Sequence, residues 1–381
     1  MDKPAILMIC PQFHPLVGGY ERAARRLCGA LAAAGLRVVV VTERRDRGWP
    51  ALEAMDGFTI RRVPSMYRRL LHTTTSLLSF AGFLLCHGRE FDVWHVHQYG
   101  PIAAMAVALG IVLRRPVVLK LMNSGPGGIE PALGEGIVGR VMGALLRRVD
   151  ACIAISEETH EDALRFGIAP ERIHLVPNGV DAREFAPSTR DEKFAARRRL
   201  GLTCERLVIC VGRLSAEKNQ LGLLDVWAGL QRETRGGALL ALIGEGPDLE
   251  KVLVRSRMPD VAEHVQVVGL QSDMTSWYRA ADILVIASHH EGLSNVMLEA
   301  MASGLPVIST RVSGSAVLIE PPAVGIVVDV GDLTALGSGM RMLLSDDAAC
   351  RRLGMGARAR FDSRFSLDAV AAKMIAVYRS L

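Results

Sequence analysis

Short apolar segments alternate with helical patterns along nearly the whole sequence, and this alternation constrains the fold more than any other feature. The apolar segments are rich in Val, Ile, Leu and Ala, as strands buried on both faces must be. Repeated strand–helix–strand units fold as parallel sheets with right-handed crossovers. The sequence therefore predicts an α/β protein with doubly wound parallel sheets. The predicted strands are Ala5–Cys10, Arg37–Val41, Asp92–Val96, Val117–Leu121, Ala151–Ile155, Ile173–Val176, Leu207–Val211, Leu239–Ile243, Val265–Val268, Ile283–Ile286, Pro306–Ser309 and Gly325–Val328.

The number of predicted strands is large for one sheet, and 381 residues suffice for two or three domains. The natural break follows residues 177–181, a Pro-Asn-Gly-Val-Asp turn, because an Arg-rich stretch separates it from the next strand. We therefore predict one Rossmann-like domain over residues 1–181 and a second over 182–362, followed by a C-terminal helix over 363–381. Two such domains facing each other leave a cleft, where ligands commonly bind.

Composition excludes several classes of protein. With 50% hydrophobic and 22% charged residues, the chain can build packed cores and is not disordered. The net charge of +5 falls entirely in residues 1–180. That excess is too weak for a nucleic-acid-binding protein, so no nucleic acid is expected as a partner, but it suits an anionic substrate or a membrane surface.

Cysteine usage and apolar segment lengths indicate the compartment. The 7 cysteines form no Cys-x-x-Cys pair, and most have apolar neighbours, which predicts buried free thiols in a reducing compartment. No signal peptide is visible. The longest apolar stretches, Leu77–Cys86 and Ile102–Leu113, are too short to span a membrane and predict buried helices. We expect a cytoplasmic protein that contacts the inner face of the cytoplasmic membrane at most peripherally.

Two candidate ligand-binding features follow strands of the first half. Gly18 and Gly19 end the loop before a helix that opens near Tyr20, where backbone could approach an anion, although a plain turn also explains them. The Gly-x-Gly-x-x-Gly pattern is absent, which argues against a nicotinamide-dependent dehydrogenase.

Two histidines lie at the end of the third predicted strand, where strand alternation sends His95 and His97 to the same side. His97 at a strand's carboxyl end suits a sugar hydroxyl, and a pair of satisfied core histidines is the alternative.

Two cations follow the first strand of the second half. Arg213 and Lys218 flank a turn directly after Leu207–Val211. An Arg fork and a compact Lys charge on such a loop suit a diphosphate. Solvated surface charge is the alternative.

A loop and helix after the tenth predicted strand form the most informative segment. Glu291 lies in the loop, and Glu299 lies in the second turn of a helix that Ser294 or Asn295 can cap. The amides of residues 292–295 form the positive end of this helix, which favours a phosphate by ~0.3–1 kcal/mol. Two carboxylates beside a phosphate site suit a nucleotide sugar. The alternative is a capped core helix with incidental glutamates.

In their order along the chain, these motifs resemble those of the retaining glycosyltransferases of the GT-B fold known as family 4. The resemblance covers nearly the whole chain. It implies two facing Rossmann-like domains of GT-B architecture and a last helix that crosses back onto the first domain. The motifs that carry it are Gly18-Gly19-x-Glu21, residues 93–97, residues 176–181, residues 212–219, residues 244–247, and Glu291-x7-Glu299 with its ending at residues 304–308.

The resemblance also implies a role for each matching residue. Arg213 and Lys218 would hold the diphosphate and stabilise it as the leaving group. Glu299 would bind the ribose, and Glu291 would hold hydroxyls of the donor sugar. His97 would lie beside the donor sugar and the reacting carbon. The remaining donor contacts would come from the backbone of Gly18, Gly19, Gly292, Leu293, Ser294 and Asn295.

The implied reaction is metal-independent, retaining transfer of a sugar from a nucleotide-diphosphate sugar to a glycan or lipid-linked acceptor. No Asp-x-Asp pair occurs in the sequence, so we expect neither metal nor cofactor, and fixed cations and amides must neutralise the departing diphosphate. Family frequency suggests polysaccharide or cell-envelope glycan synthesis. Two alternatives stay open: a nucleotide-sugar-binding protein without transferase activity, and a GT-B nucleotide-sugar epimerase.

A basic segment in the first half suggests a lipid contact. Arg61, Arg62, Arg68 and Arg69 precede Leu70–Cys86, which mixes apolar with small polar residues. Such a segment could contact anionic lipid or a lipid-linked acceptor. An ordinary amphipathic helix with solvated arginines is the alternative.

Overall fold

The chain folds into two compact α/β units in a computed structural model that describes residues 4–16, 18–66, 71–123, 128–129, 136–234, 237–290, 294–320 and 322–381. Unit 1 comprises Met1–Gly179 and Leu367–Leu381, and unit 2 comprises Val180–Ser366. The second boundary lies beyond residue 362 because the helix Asp347–Arg364 stays in unit 2 through its last turn.

Each unit is built on one sheet, and the strands are numbered in chain order. All the predicted strands are present, with ends that differ by up to three residues. The strands are β1 (Ala5–Ile9), β2 (Arg37–Arg44), β3 (Leu52–Met55), β4 (Phe58–Pro64), β5 (Val93–His97), β6 (Val117–Leu121), β7 (Ala151–Ala154), β8 (Ile173–Leu175), β9 (Arg206–Val211), β10 (Ala238–Ile243), β11 (Val265–Gly269), β12 (Ile283–Ile286), β13 (Val307–Thr310) and β14 (Gly325–Val328).

Helices connect these strands and cover both faces of each sheet. In the part of the chain that the structure describes they are α1 (Gly19–Ala33), α2 (His72–His87), α3 (Pro101–Leu113), α4 (Ile137–Leu146), α5 (Glu157–Phe166), α6 (Arg190–Arg199), α7 (Gln220–Thr234), α8 (Leu249–Ser256), α9 (Met274–Ala280), α10 (Asn295–Ala302), α11 (Ser313–Leu318), α12 (Leu333–Ser345), α13 (Asp347–Arg364) and α14 (Leu367–Ser380).

The sheet of unit 1 has the strand order β3-β4-β2-β1-β5-β6-β7-β8, and every pair is parallel except β3 with β4. The sequence did not predict this antiparallel hairpin. Its two-residue turn is Asp56-Gly57, with φ of 47° and 83°. An Asp-Gly pair with positive φ is a strong hairpin signal.

Unit 1 has a separate core on each face of its sheet. On one face, α1 and α14 cover a core that includes Met8, Leu27 and Met374. On the other face, α2, α3 and α4 cover a core that includes Phe80 and Val107. The last helix therefore packs within unit 1, beside α1.

Unit 2 has a six-stranded parallel sheet in the order β11-β10-β9-β12-β13-β14. The reversal of strand order falls between β9 and β12, and ligands of doubly wound sheets bind outside the carboxyl ends of the strands at such a point. The loops that follow β9 and β12 contain the predicted cations and the segment of residues 288–299. The topology thus brings these two predicted segments of unit 2 to the carboxyl edge of the sheet.

The apolar stretches Leu77–Cys86 and Ile102–Leu113 lie in α2 and α3, and the prediction that they are buried helices is wrong in part. Phe80 and Leu84 are buried, but Leu78 is 69% exposed. These are surface helices that keep apolar side chains on their outer side. Over the described residues, no helix has the length and apolar character that crossing a bilayer requires.

Candidate functional site

The loop after β9 carries the two predicted cations of unit 2. Gly212 leaves the strand with φ of +152°, a conformation that favours glycine. Arg213 is exposed, whereas Lys218 is half-buried at the end of the short 3-10 helix Ala216–Lys218. Asn219 then turns the chain into α7 with φ of 53°. The strand end thus presents an accessible cation at each end of a short turn.

The glycine-rich turn at residues 244–247 fixes the position of this loop. Gly212 N donates to Ile243 O at 3.0 Å, and Leu214 N donates to Glu245 O at 3.0 Å. A Cβ on Gly244 would overlap the carbonyl oxygen of Gly212, and a Cβ on Gly246 would overlap that of Leu214. Glycine is needed at both positions because two backbones meet there.

Gly246→Ala is therefore expected to displace the loop of residues 212–218 and to lower the unfolding free energy of unit 2 by about 1–3 kcal/mol. Gly229→Ala is the matched control, because a Cβ there meets nothing within 4 Å in helix α7. That control should stabilise the unit by up to about 1 kcal/mol. Thermal unfolding of both variants checks this, and an unchanged Gly246→Ala protein would contradict the packing described.

The segment after β12 is tied to the same loop. His289 N donates to Glu217 O at 2.8 Å. Thr310 Oγ1 donates to Ser288 O at 2.6 Å, which anchors the segment to the end of β13. The chain is therefore held beside the Arg213–Lys218 loop just before it reaches residue 291. The predicted site residues Glu291, Gly292 and Leu293 lie outside the described residues.

Helix α10 carries the last predicted donor contacts. Ser294 is its N-cap residue, but its side chain makes no capping hydrogen bond, so the expected side-chain cap is not present. Asn295 is the first helical residue. Glu299 is only 3% exposed, in the second turn as predicted. A carboxylate so buried depends on polar partners or on a ligand for its charge.

In unit 1, the structure places the two predicted glycines at the start of α1. Gly18 is the N-cap residue in an extended conformation, and Gly19 begins the helix. A Cβ on Gly18 would overlap the Glu21 carboxylate. The backbone amides at this end therefore follow directly from the loop after β1, the arrangement that an anion site requires.

The predicted histidines are both fully buried on the face that α1 and α14 cover. Their rings stack with centroids 4.5 Å apart. His95 Nδ1 lies 2.6 Å from the Tyr378 hydroxyl, whereas neither ring nitrogen of His97 has a hydrogen-bond partner among the described residues. Burial, with smaller contributions from neighbouring cationic groups, holds the pKa of both rings well below the usual range. His97 is therefore a neutral ring without a hydrogen-bond partner among the described residues, whereas His95 is satisfied at Nδ1 but not at its buried Nε2, so neither ring is a fully satisfied core histidine.

Sequence reasoning missed a buried lysine beside these histidines. Lys120 stands next to His97 in the register of β5 and β6 and is 3% exposed. Its Nζ donates to Asn178 Oδ1 at 2.9 Å, and burial lowers its pKa to about 8. The available signal was a lone Lys in an otherwise apolar strand, because an unpaired Lys is almost never fully buried.

Two family models match this chain. The model described as "Glycosyltransferase Family 4" matches residues 17–184, and the one described as "Glycosyl transferases group 1" matches residues 205–346. The first match spans Gly18, Gly19 and His97, and the second spans Arg213, Lys218 and Glu299.

The curated proteins and solved structures that resemble this chain are also glycosyltransferases or proteins with their fold. A D-inositol 3-phosphate glycosyltransferase of Kineococcus radiotolerans is 30% identical over 404 residues, which cover 95% of this chain and 90% of that protein. A GDP-mannose-dependent alpha-mannosyltransferase of Mycobacterium tuberculosis is 28% identical, over 86% of this chain and 84% of that protein. The structure of Anabaena HepE in complex with UDP-glucose superposes with a TM-score of 0.81 at 19% identity, over 99% of this chain and 100% of that one.

Proposed function

Because this chain belongs to glycosyltransferase family 4, we propose that it transfers a sugar with retention of configuration from a nucleotide-diphosphate sugar to a glycan or lipid-linked acceptor. That it is a nucleotide-sugar glycosyltransferase of GT-B fold follows from the family and the fold. The proposal adds the stereochemistry, independence from a metal ion, the acceptor class and the residues that act.

The observation that carries the proposal is the junction of two loops in unit 2. The hydrogen bond from His289 N to Glu217 O holds the Arg213–Lys218 loop beside the segment that leads to α10. Cations, helix amides and a buried carboxylate therefore come from neighbouring strand ends. That set suits a nucleoside diphosphate, whose phosphates take the cations and amides and whose ribose hydroxyls take the carboxylate.

In the proposed complex, Arg213 and Lys218 bind the diphosphate, and Glu299 accepts hydrogen bonds from the ribose. Glu291 binds hydroxyls of the donor sugar. The amides at Gly292, Leu293, Ser294 and Asn295 face the phosphate.

From unit 1, the backbone at Gly18 and Gly19 approaches the diphosphate, and His97 binds the donor sugar near the reacting carbon. The unsatisfied nitrogens of His97 support this role, because a buried ring without partners gains most from a ligand hydroxyl.

We propose front-face chemistry for the transfer. The bond from the anomeric carbon to the diphosphate oxygen breaks as Arg213, Lys218 and the α10 amides stabilise the developing negative charge. The acceptor hydroxyl attacks the same face of an oxocarbenium-like state and gives its proton to the departing phosphate. An NMR assignment of the product's anomeric configuration tests retention, and a trapped glycosyl–enzyme adduct would contradict front-face attack.

We place the reaction in the cytoplasm, peripherally on the inner face of the membrane, in polysaccharide or cell-envelope glycan synthesis. The named activity of one relative, on an inositol phosphate, supports a polar, hydroxyl-rich acceptor. That of another, which depends on GDP-mannose, supports a nucleotide-sugar donor. The non-catalytic binding protein and the GT-B epimerase remain the competing functions. The first binds nucleotide sugars without turnover, and the second converts the donor sugar without any acceptor.

Thermal unfolding with UDP, GDP, ADP and their sugar conjugates, in EDTA, tests the donor site. A ligand at one hundred times its dissociation constant is expected to stabilise the protein by ~2.7 kcal/mol. Lys218→Ala is expected to remove this effect, because Lys218 supplies a diphosphate contact. Lys251→Ala is the matched control, since Lys251 is an exposed lysine of unit 2 that forms a local ion pair with Asp248, at 2.7 Å.

The outcomes separate the competing functions. Stabilisation by one nucleotide that persists in the control and disappears in Lys218→Ala supports the metal-free donor site. Equal loss in both variants would point to a general charge effect and contradict the assigned role. Stabilisation without turnover on any acceptor would favour the non-catalytic binding protein.

A further inference from the structure

A continuous column of aromatic rings crosses the face of the unit 1 sheet that α1 and α14 cover. From α1 to α14 its members are Tyr20, His97, His95 and Tyr378. The centroids of successive rings lie 6.1, 4.5 and 5.8 Å apart, the range in which aromatic rings attract one another. We call this set the ring column. It joins the first turn of α1, the end of β5 and the last turn of α14.

His97 is held by its neighbouring rings and not by hydrogen bonds of its own side chain. Tyr20 meets the ring edge-on, with an angle of 80° between the planes, and His95 stacks on it at 26°. The His97 side chain is fully buried, and neither of its nitrogens has a partner within the described part of the chain. The two flanking rings therefore set the plane of His97 and the directions in which its nitrogens point.

His95 is fixed in turn from α14. The Tyr378 hydroxyl lies 2.6 Å from His95 Nδ1, and both residues are buried. Burial holds the pKa of Tyr378 well above its usual range and that of His95 well below it, so the contact joins a neutral hydroxyl to a neutral ring. The Nε2 atom of His95 has no partner among the described residues. The Tyr378 hydroxyl is therefore the polar group that orients this ring.

Tyr20 fixes the other end of the ring column. Its hydroxyl donates to His97 O at 3.2 Å, and Tyr20 directly follows Gly19, the first residue of α1. The side chain thus ties the first turn of α1 to the end of β5. The glycine turn and His97, which the proposed function assigns to the donor, are held together by this one residue.

Buried charge elsewhere in unit 1 has partners of its own. Arg62, which the sequence suggests for a lipid contact, is instead buried, donates to two backbone carbonyl oxygens at 2.9 Å and pairs with Glu53. Arg68 and Arg69, from the same basic segment, lie outside the described residues. The charge of Arg62 is thus matched within the fold, whereas the polar atoms of the His97 ring are not.

We propose that Tyr378, in the last helix, is a positioning residue for sugar transfer. It holds His95 by a hydrogen bond, and His95 holds the plane of the His97 ring toward the donor sugar. Tyr20 is the positioning residue on the opposite side of His97. The inference rests on the proposed function, in which His97 binds the donor sugar near the reacting carbon. A group at that place must keep its geometry closely, and a ring without hydrogen bonds of its own owes its geometry to its neighbours.

Simple core packing is the competing explanation of the ring column. Aliphatic side chains would fill the same space without leaving ring nitrogens buried and unpaired, which costs stability. Proteins accept such costs mainly at functional sites. The column also ends beside the glycine turn at one side and at the sheet's carboxyl edge, where ligands of α/β proteins bind. These observations favour a role in the site over a role in the core alone.

Tyr378→Phe tests the proposal, because it removes the hydroxyl and keeps the ring in the column. The kcat for sugar transfer is expected to fall about tenfold, and the KM for the donor should change by less than about twofold. Val377→Ala is the matched control. Val377 is buried in the same turn of α14 and packs in the same core, so its truncation loosens the helix without removing the hydrogen bond to His95. The kcat of the control should equal that of the unaltered protein.

Two further measurements separate positioning from a loss of stability. In NMR spectra recorded without a donor, Tyr378→Phe should shift the ring nitrogens of both His95 and His97, whereas Val377→Ala should shift neither. His95→Leu should lower kcat as Tyr378→Phe does. Adding Tyr378→Phe to His95→Leu should have no further effect on kcat, because Tyr378 acts through His95.

Four results would overturn the proposal. They are an unchanged kcat in Tyr378→Phe, an equal loss in Val377→Ala, additive losses in the double variant, or His97 signals that Tyr378→Phe does not move. If the unaltered chain transfers no sugar from any nucleotide sugar, the proposed function fails, and the NMR spectra still decide whether Tyr378 orients His97. If it transfers sugar and Tyr378→Phe does so equally well, this inference fails alone.

Discussion

Asp282→Ala is expected to lower the unfolding free energy of unit 2 by about 3–5 kcal/mol. Asp282 precedes β12, is 5% exposed, and accepts hydrogen bonds from the Arg197 guanidinium and, at 2.9 Å, from Leu207 N. Lys193 Nζ lies 3.3 Å from its other oxygen. Without the carboxylate, the charge of Arg197, which is 2% exposed, stays buried without its counter-ion.

Denaturant unfolding combined with hydrogen exchange in β9 and β12 measures this effect in unit 2 alone. Asp260→Ala is the control. Its carboxylate pairs with Arg255 at the surface, at 2.9 Å with 40% side-chain exposure, and should contribute no more than about 1 kcal/mol. Arg197→Met/Asp282→Leu should recover much of the loss, because it removes both buried charges. Equal stability of Asp282→Ala and the control would refute the role of the cluster.

The Asp282 cluster also supports the donor site from a distance. Asp282 joins the amino ends of β9 and β12 through the Leu207 amide. The carboxyl ends of the same two strands lead to the Arg213–Lys218 loop and to the segment before α10. Loosening the amino ends should therefore weaken nucleotide binding even though no cluster residue touches the ligand.

The strands were predictable where burial on both faces of the sheet leaves a nearly continuous apolar run in the sequence. Val117–Leu121 and Ile283–Ile286 have the predicted bounds because each is a run of apolar residues, broken only by Lys120, that begins directly after Pro116 or Asp282. The hairpin of β3 and β4 was missed because β3 lies at the sheet edge, half exposed, and includes Glu53, and because polar Thr59, Arg61 and Arg62 interrupt the apolar pattern of the interior strand β4. An edge strand does not need a continuous apolar run, so its signal was the Asp56-Gly57 turn alone.

Site residues that lie in loops directly after strands were predictable, whereas those placed by contacts between distant parts of the chain were not. Arg213 and Lys218 could be placed because a loop after a buried strand lies at the sheet's carboxyl edge. The bond between Lys120 and Asn178 joins residues 58 positions apart, and that between His95 and Tyr378 joins residues 283 apart. Periodicity and spacing carry no information about such contacts, and the second one exists only once α14 is packed beside α1.

Lys120→Met is expected to raise the unfolding free energy at pH 7 by about 1–2 kcal/mol. Burial lowers the pKa of Lys120 from its usual 10.5 to about 8, which corresponds to a cost of about 3 kcal/mol for holding the charged form. Replacing Lys120 with methionine removes that cost. It also removes the hydrogen-bond donor to Asn178 Oδ1, which destabilises the folded state by about 1–3 kcal/mol and offsets part of the gain. The groups around Lys120 that respond to its charge are Cys10, Cys28, His95 and His97.

The sign of the pH dependence identifies the cause. Because the pKa of Lys120 is lower in the folded state, the unfolded chain binds more protons between pH 8 and 10.5, and the native protein gains stability as the pH rises through this window. The advantage of Lys120→Met should therefore be full below pH 8, shrink as the pH rises above 8 and reverse by pH 10.5, where the charge no longer opposes burial of Lys120 and the lost hydrogen bond to Asn178 dominates. Without the neighbouring cation, the pKa values of His95 and His97 should rise, which NMR titration of their rings detects. Lys251→Met, at an exposed lysine, should show neither effect. An advantage of Lys120→Met that is independent of pH would mean that the gain comes from packing and not from the buried charge.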